Sequence, residues 1–349
     1  MTVEPYIPVD LRSDTVTRPS GAMRAAMASA VVADDILDGD PTTEQLQVTV
    51  AKLLGKESAL FFPSGSMANL TGVLLHSRPG TEILLDADSH IVHWDMAASA
   101  AFGGVQMRMV RASNVIMNAD DLQAAFRPAG GYSIQPSLVL LENTHNGSGG
   151  TVTPLAELRA LSNVARDAGL PVHLDGARLW NAAAASGSSL AEFADCADTI
   201  MVSFSKGLGA PVGAALVGSE KHLEKADEIR KRLGGGMRQS GIIAAGALYG
   251  LEHNLDRLDE DHAAARALAD MLQGVAGAKV VPPDTNIVMI DLPRPLARDV
   301  VERAVARGVR VSAWTPTRVR AVTHLDAPMH LVVQAGNRLT AALFEVLSS

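Results

Sequence analysis

The sequence is poor in cysteine, and this scarcity excludes two kinds of site. Its 349 residues include one cysteine, Cys196, so no internal disulfide can form. An isolated cysteine cannot build a thiolate metal centre, and no cluster of histidine, cysteine and aspartate stands at the spacing of metal ligands. We therefore predict no metal site and interpret Cys196 as a residue of the core.

Positive charge is also scarce, with 30 Lys and Arg against 38 Asp and Glu and a formal net charge of -8. This balance offers no basic surface to nucleic acid or to an anionic membrane, and it favours a small-molecule partner. No apolar run approaches the roughly 20 residues that span a bilayer. The first residues also lack a basic segment followed by an apolar one. We expect a cytoplasmic protein without nucleic-acid or membrane partners.

What the sequence does have is a regular alternation of short apolar runs and amphipathic segments. Hydrophobic residues make up 47% of the chain, enough for a sizeable core and two unequal domains. Amphipathic stretches such as residues 154–169 predict helices that connect parallel strands and cover a sheet on both faces. The predicted strands are Ala59–Phe62, Ile83–Leu85, Val105–Val110, Leu138–Leu141, Val172–Leu174 and Ile200–Phe204.

The pattern changes in the last third of the chain. A long helical stretch over about residues 240–275 predicts the link to a second unit. The strands predicted after it cover residues 279–292, 309–314 and 319–325, and the helices residues 295–307 and 337–347. We predict a large α/β domain with a mostly parallel sheet over residues 1–252 and a small α+β domain over residues 253–349.

Lys206 stands at the end of a predicted strand and is followed by Gly207-Leu208-Gly209. A lysine in a partly apolar pocket can lose its proton and form a Schiff base with an aldehyde, while glycines let the backbone pass close to a ring. The same segment also fits a surface lysine that opens a loop. Residues elsewhere in the chain must decide between the two.

Two charged residues, Asp175 and Arg178, follow the preceding predicted strand, Val172–Leu174. An aspartate there can pair with a pyridinium nitrogen and keep it protonated, so that the ring withdraws electrons from a carbanion. Capping of the next helix is the alternative role for Asp175. The guanidinium of Arg178 has the geometry to hold a substrate carboxylate through two hydrogen bonds.

A turn of small residues, Ser64-Gly65-Ser66, lies between a predicted strand and the start of a helix. Its hydroxyls and free N–H groups suit a phosphate, although serine and glycine are also ordinary capping residues. A phosphate anchor, a pyridinium partner and a Schiff-base lysine, in this chain order and each at a strand-to-helix junction, are typical of fold type I pyridoxal-phosphate enzymes. The sequence therefore predicts an aspartate aminotransferase-like large domain.

Six motifs make the chain resemble the low-specificity L-threonine aldolase family over nearly its full length. They are Leu11–Thr17, Leu141–Asn146, His173–Arg178, Ser205–Gly209, Gly234–Gly241 and Val322–Leu325. The six motifs together are specific for this family, and no single one of them would be. The resemblance implies pyridoxal 5'-phosphate as cofactor, a β-hydroxy-α-amino acid as substrate, glycine and an aldehyde as products, and a homotetramer with active sites at a dimer interface.

The resemblance also implies roles for individual residues. Lys206 would form the Schiff base, Asp175 would contact the ring nitrogen, and His90 would stack on the ring and serve as a base or orient a water that does. Residues for the substrate carboxylate would be Ser13, Arg178 and Arg320. Those for the phosphate would be Ser64, Gly65, Ser66 and, from the neighbouring subunit, Arg238.

Two of these roles have rivals close by in the sequence. His93 and Trp94 stand beside His90, and each carries a ring that can stack. Arg318 precedes Arg320 by two residues, and either arginine fits a solvated charge on an edge strand. The family pattern selects His90 and Arg320.

The chain departs from the family pattern at two positions near the substrate. Leu37 replaces a tyrosine, and Tyr132 stands where a second active-site histidine is usual. That histidine is associated with the β-hydroxyl group, so the preferred substrate and its stereochemistry stay open. The alternatives are an aldolase for a bulkier substrate such as phenylserine or α-methylserine, an aminotransferase on the same fold, and a relative without catalysis, which the retained lysine, aspartate and arginines disfavour.

Overall fold

The computed structural model describes residues 8–128 and 130–348 of the chain. Within these ranges the strands are β1 (Val9–Asp10), β2 (Ser58–Phe62), β3 (Glu82–Asp86), β4 (Gln106–Val110), β5 (Pro136–Glu142), β6 (Val172–Gly176), β7 (Thr199–Ser203), β8 (Ala214–Gly218), β9 (Lys279–Val281), β10 (Ile287–Asp291), β11 (Val309–Arg310), β12 (Ser312–Thr315) and β13 (Arg318–Val322).

The helices of the same ranges alternate with these strands through the first two thirds of the chain. They are α1 (Gly21–Ala28), α2 (Pro41–Leu53), α3 (Gly65–His76), α4 (His90–His93), α5 (Ala98–Gly103), α6 (Ala119–Ala125), α7 (Leu155–Asp167), α8 (Leu179–Ser186), α9 (Leu190–Ala194), α10 (Glu220–Arg232), α11 (Gly241–His253), α12 (Leu258–Leu272), α13 (Ala297–Ala306) and α14 (Met329–Leu347).

Seven strands form the main sheet in the order β2-β8-β7-β6-β5-β3-β4. Strand β8 is antiparallel to both of its neighbours, and all other neighbouring pairs are parallel. The predicted mostly parallel sheet is confirmed, and each of the six predicted strands lies in it with ends shifted by at most two residues.

The strands read as continuous apolar runs because both faces of the sheet are covered. In β7, Ile200 and Val202 enter the largest hydrophobic core, while Met201 between them enters a second cluster on the other face. The same alternation holds in β3, where Leu84 faces one core and Leu85 the other. Successive side chains of a strand point to opposite faces, so a strand buried on both faces has little room for polar residues.

The helical stretch predicted over residues 240–275 is wrong in one respect, because it is two helices. Helix α11 ends at His253 and α12 begins at Leu258. Between them the side chain of Asn254 donates a hydrogen bond to the carbonyl of Leu208 at 2.8 Å. Leu258 still packs in the largest core, but the later apolar residues of α12 pack in a separate one. The break therefore lets the chain pass from one core to the other.

Three further segments of the last third differ from the prediction. The single strand predicted over residues 309–314 is divided into β11 and β12, which lie in different sheets. The single strand predicted over residues 279–292 is an antiparallel pair, β9 and β10, because Pro282 and Pro283 supply no N–H groups to a ladder. The last helix, α14, begins at Met329 rather than at residue 337. Val332 and Ala335, which precede the predicted start, are buried in the same core as the rest of the helix.

The N-terminal segment belongs to the C-terminal core, contrary to its placement in the large domain. Strand β1 pairs in parallel with β11, and Leu11 accepts a hydrogen bond from the N–H of Val322 at 2.8 Å. Val9 and Leu11 are buried with residues of α12, β10, β13 and α14, and we call this cluster the C-terminal core. The predicted division between residues 252 and 253 lies at the end of α11, but the first strand does not follow it.

No helix within residues 8–128 and 130–348 is both long enough and apolar enough to cross a membrane. The one cysteine, Cys196, is buried in the largest core, as predicted.

Candidate active site

The residues with candidate chemical roles meet where the parallel strands end. Lys206 follows β7, Arg178 follows β6, Asn146 follows β5 and His90 follows β3. They share a cavity of about 440 Å³ with residues of the N-terminal segment and of strands β12 and β13. Its lining consists of Ser13, Thr15, His90, Trp94, Asn146, Arg178, Lys206, Ser312, Ala313, Trp314 and Arg320. Ligands of open α/β sheets bind at this edge.

Lys206 lies in the turn after β7 and is half-buried. Burial and the nearby charge of Arg178 lower the pKa of the Lys206 ammonium, although Asp14, Asp175 and Glu142 act in the opposite direction. A lowered pKa increases the fraction of neutral amine, which is the nucleophilic form. The alternative interpretation of Lys206 as a solvated loop lysine does not match this environment.

Arg178 is held by Asp14, a residue that sequence analysis assigned no role. The guanidinium donates to both carboxylate oxygens of Asp14, from Nε and from Nη2, each at 2.7 Å. Asp14 is fully buried and also accepts from Asn286 at 3.1 Å. Burial alone would raise the pKa of Asp14, but the charge and hydrogen bonds of Arg178 outweigh it and hold the pKa far below its ordinary value.

Asn146 connects the two arginines of the cavity. Its Oδ1 accepts from Nη1 of Arg178 at 3.2 Å and from Nη1 of Arg320 at 3.0 Å. Arg320 also lies over the ring of Trp314, with its guanidinium carbon 4.2 Å from the ring centroid. An amide oxygen accepts hydrogen bonds without cancelling charge, so both guanidinium groups keep their positive charge beside the cavity.

Arg320 is buried, and within residues 8–128 and 130–348 no acidic side chain forms an ion pair with it. Its Nε is shielded from solvent and has no hydrogen-bond partner among the residues that the structure describes. Burial and the positive charge of Arg178 lower the pKa of Arg320 to about 10, which still leaves it protonated at neutral pH. An unpaired buried cation next to a cavity indicates a site for an anion, because an anion would supply both the missing charge and the missing acceptor.

His90 is fixed from two sides. Its backbone N–H donates to Glu142 at 2.7 Å, and its ring Nδ1 lies 3.2 Å from Asp95. Burial lowers the pKa of His90, but the hydrogen bond that its ring donates to Asp95 and the charges of Asp175 and Asp95 outweigh burial and raise the pKa above its ordinary value. His90 lines the cavity, whereas His93 is directed to the carbonyl of Ala87.

Glu142 supports both His90 and Asn146. Its second oxygen accepts from the backbone N–H of Asn146 at 2.8 Å, so one buried carboxylate fixes two strand-end loops. Burial raises the pKa of Glu142 despite the opposing charge of His145. His145 itself lies 3.5 Å from Asp86 and accepts from the N–H of Ser148 through Nδ1, so it organises the loop after β5.

Asp175 and the small-residue turn lie beside the cavity rather than in its lining. Asp175 ends β6, is buried, and accepts from Asn69 at 2.8 Å and from the N–H of Ala177 at 3.0 Å. Ser64 caps α3 by accepting from the N–H of Met67, and Ser66 donates to Asp95 at 3.1 Å. The first N–H groups of α3 are therefore directed to this end of the sheet, as an anion-binding role requires.

Three of the predicted site residues do not reach the cavity within one chain. Leu37 is 76% exposed, Tyr132 is fully exposed, and the side chain of Arg238 is 57% exposed. Arg238 pairs with Asp34 at 3.2 Å. Any role of these three residues in catalysis requires a neighbouring subunit and stays a prediction.

The structure adds six residues that sequence analysis did not assign: Asp14, Asn69, Asp95, Glu142, Asn146 and Trp314. A local signal existed for three of them, because Asp14 lies inside the motif that contains Ser13, and Glu142 and Asn146 lie inside the motif Leu141–Asn146. No local pattern marks Asn69, Asp95 or Trp314, which reach the site through the fold.

The chain matches the β-eliminating lyase family over residues 10–294. It is 40% identical over 325 residues to the low-specificity L-threonine aldolase 1 of Arabidopsis thaliana, covering 90% of this chain and 91% of that relative. It is also 40% identical over 319 residues to the low specificity L-threonine aldolase of Escherichia coli strain K12, covering 91% and 94%.

Solved structures share the architecture. The threonine aldolase of Leishmania major aligns with a TM-score of 0.81 at 18% identity, covering 96% of this chain and all of that one. The serine palmitoyltransferase of Sphingomonas wittichii aligns with a TM-score of 0.78 at 19% identity, covering 98% and 88%. At these identities the likeness shows the fold alone, and it confirms the predicted fold type I architecture.

Proposed function

Because this chain belongs to the β-eliminating lyase family, among its low-specificity L-threonine aldolases, we propose that it cleaves L-threonine, L-allo-threonine or a related β-hydroxy-α-amino acid to glycine and an aldehyde. Pyridoxal 5'-phosphate is the cofactor in this proposal. The observation that carries it is the single cavity in which Lys206, with its lowered pKa, faces two arginines that retain their charge.

The residues present fit the cofactor. Lys206 would hold its aldehyde carbon, Asp175 its ring nitrogen, and the turn Ser64-Gly65-Ser66 its phosphate. When bound, the cofactor withdraws electrons from the α-carbon of the substrate and so stabilises the charge left by bond cleavage. The fit is supported by the burial of Asp175 near the end of β6, by the effect of its charge on Lys206, and by the first turn of α3.

The two arginines orient the substrate. Arg178, fixed by Asp14, and Arg320, with its free Nε, bind the α-carboxylate, and Ser13 lines the same part of the cavity. Fixing the carboxylate on one side sets which bond of the α-carbon is aligned for cleavage. We assign this alignment to the Cα–Cβ bond.

His90 accepts the proton of the β-hydroxyl group, directly or through one water. Glu142 holds the backbone of His90 and Asp95 holds its ring, so the imidazole keeps one orientation in the cavity. A base of this kind contributes roughly 10²–10⁴-fold to the rate. Substitution of His90 by asparagine is expected to lower turnover far more than cofactor content.

The raised pKa of His90 predicts how activity depends on pH. Only the neutral imidazole can act as a base, so kcat/KM falls as pH drops through the pKa of His90, which lies above 6.5. In Asp95→Asn the stabilising carboxylate is gone, the pKa of His90 falls, and the acid limb of the profile moves to lower pH. The profile of kcat/KM against pH for both enzymes is the measurement, and an unshifted acid limb argues against His90 as the base.

Asn146 predicts a separate effect on substrate affinity. Arg178 and Arg320 carry two positive charges and Asp14 one negative charge, which leaves a net charge of +1 for one carboxylate. In Asn146→Asp this net charge becomes zero, and KM for the amino acid is expected to rise by roughly 10- to 100-fold with a smaller change in kcat.

The matched control for this charge effect is Asn146→Ala, which removes the acceptor without adding charge. Its KM is expected to lie between those of the wild type and Asn146→Asp, as measured by initial rates over a range of amino acid concentrations. Equal KM values for the two variants would show that the charge of the site does not govern carboxylate binding.

We further propose that the enzyme is a homotetramer in the cytoplasm, built of dimers in which Arg238 of one subunit binds the phosphate in the site of the next. Support comes from the exposure of Arg238, which pairs with Asp34, and from the exposure of two apolar side chains near Asp34 in sequence, Val31 and Leu37. Light scattering tests the assembly, and a monomer contradicts the role of Arg238.

The function is tested with the purified protein. Its absorbance is recorded with and without glycine, and aldehyde release is then assayed with L-threonine, L-allo-threonine, phenylserine and α-methylserine. Visible absorbance from bound cofactor together with acetaldehyde from either threonine is the expected result. Bound cofactor without aldehyde from any of the four would move the proposal to another reaction on the same fold.

A further inference from the structure

A chain of polar side chains runs from Asp175 away from the cavity into the protein. Asn69 Nδ2 donates to Asp175 Oδ2 at 2.8 Å, and Asn69 Oδ1 lies 3.1 Å from Nε2 of His173. The other ring nitrogen of His173 lies 2.9 Å from the hydroxyl of Thr199, which in turn lies 3.0 Å from Nε2 of His76. None of these links is explained by packing of the sheet alone.

The donors of this chain can be assigned from Asp175 outward. A carboxylate only accepts hydrogen bonds, so Asn69 must face Asp175 with its NH₂ group and face His173 with its oxygen. That oxygen needs a donor, and Nε2 of His173 therefore carries the proton. The orientation of Asn69 and the tautomer of His173 are thus fixed by one neighbour.

The next two links follow from the charge state of the histidines. Burial lowers the pKa of His173 to about 3 and that of His76 to about 4, so both rings are neutral at neutral pH. With Nε2 protonated, Nδ1 of His173 is an acceptor, and the single hydroxyl proton of Thr199 must point to it. The oxygen of Thr199 then accepts from Nε2–H of His76. Every donor in the chain points toward Asp175.

The sequence of α3 independently supports this hydrogen-bond chain, because the helix leaves space for its side chains. Asn69, Gly72 and His76 stand at i, i+3 and i+7 and share one face of that helix. A Cβ at Gly72 would lie 2.4 Å from Cε1 of His173, so this position admits no side chain while the ring is there. A glycine inside a helix is less favourable than alanine, so Gly72 fits here because it leaves room for the ring of His173.

Strands β6 and β7 supply the other two members of the hydrogen-bond chain. His173 on β6 and Thr199 on β7 are direct partners in the parallel register, which places their side chains on the same face of the sheet under α3. Both are fully buried. Aligned hydrogen bonds in a buried, low-dielectric setting polarise one another, and here the donors all stabilise negative charge on Asp175.

We propose that His76, Thr199, His173 and Asn69 form a one-directional hydrogen-bond chain that holds the carboxylate of Asp175 oriented toward the ring nitrogen of the cofactor, with Thr199 as a positioning residue. The role toward the cofactor rests on the proposed function. The chain itself does not, since it is a property of the protein before any cofactor binds.

The first test reads the histidine tautomers in the protein without cofactor. Nitrogen-15 NMR of the imidazole rings distinguishes Nε2–H from Nδ1–H forms. We expect both His173 and His76 to be neutral Nε2–H tautomers at neutral pH. A His173 ring protonated at Nδ1 reverses the assigned direction and overturns the proposal, whether or not the protein binds pyridoxal phosphate.

The second test compares Thr199→Val with Thr199→Ser. Valine has the shape of threonine without the hydroxyl, and serine retains the hydroxyl. Outer-shell partners of a bound group typically change its affinity by about 10- to 100-fold. We expect the Kd for pyridoxal 5'-phosphate, from absorbance titration, to rise by about tenfold in Thr199→Val and to change by less than about twofold in Thr199→Ser.

The two readouts separate the possible failures. Equal Kd values for the two Thr199 variants overturn the positioning role of Thr199 and leave the proposed function in place. Wild-type protein that binds no pyridoxal 5'-phosphate overturns the proposed function and the role toward the cofactor. Should Thr199→Val fail to fold, as judged by circular dichroism, the tautomers of the wild-type protein still decide whether the chain has the assigned direction.

Discussion

Lys206→Ala is expected to reduce aldehyde release from L-threonine by on the order of 10⁴-fold or more, because it removes the amine that we propose to bind the cofactor covalently. The turn after β7 is otherwise retained, and the free energy of unfolding should change little, since a half-buried lysine is replaced by a smaller residue. Aldehyde assays together with denaturant unfolding of the same preparation measure both quantities.

Two controls sharpen this result. Lys206→Arg keeps a positive charge but cannot form the Schiff base, so it should be as inactive as Lys206→Ala. Lys225→Ala, at an exposed position of α10, removes a lysine far from the cavity and should retain wild-type activity. Activity in Lys206→Arg within about tenfold of wild type would contradict covalent catalysis by Lys206.

The second large effect is expected at Arg320. Arg320→Leu removes the buried cation that lacks a counter-ion, and kcat/KM for L-threonine should fall by roughly 100- to 1000-fold, which is about 3–4 kcal/mol. The loss arises because the carboxylate would enter a cavity with one guanidinium already paired to Asp14. Steady-state kinetics over a wide range of substrate concentration measure it.

Arg318→Leu is the matched control for Arg320→Leu. Arg318 lies two residues earlier in β13 and is paired with Asp291, so its loss leaves the cavity charge unchanged. We expect kcat/KM of Arg318→Leu within about threefold of wild type, given the small contribution of partly exposed ion pairs. If the two substitutions had equal effects, the assignment of the carboxylate site to Arg320 would be wrong.

Much of the main sheet could be predicted because a strand that is buried on both faces has a simple sequence pattern, a short run of apolar residues. Strands such as β6 and β7 are short apolar runs that end in a charged or small residue. Asp175 and Lys206 could be singled out for the same reason, since polar residues at such strand ends have few structural uses. The break between α11 and α12 has no comparable sequence pattern, because Asn254 donates its hydrogen bond to the carbonyl of Leu208, which is distant in the sequence.

The partners of the site residues could not be predicted in the same way. Asp14 and Arg178 are 164 residues apart, and they meet only because the N-terminal segment joins the C-terminal core above the sheet. Asn146 reaches Arg320 across 174 residues. Such pairs depend on strand order and on how the two cores pack. The local pattern of a single sequence predicts neither the strand order nor this packing.

The pairing of β1 with β11 joins the N-terminal segment to the C-terminal core. The active site therefore has residues from two structural units, and the residues of each unit have a different role. Lys206 and His90 follow strands of the main sheet and Asp175 lies near the end of one, whereas Arg320 and Trp314 lie on strands attached to the C-terminal core. Laboratory evolution of substrate range can therefore draw its mutations from residues 312–314, which line the cavity, while Arg320 and the residues of the main sheet stay untouched. Libraries confined to that short segment sample new side-chain preferences with the smallest risk of losing the holoenzyme.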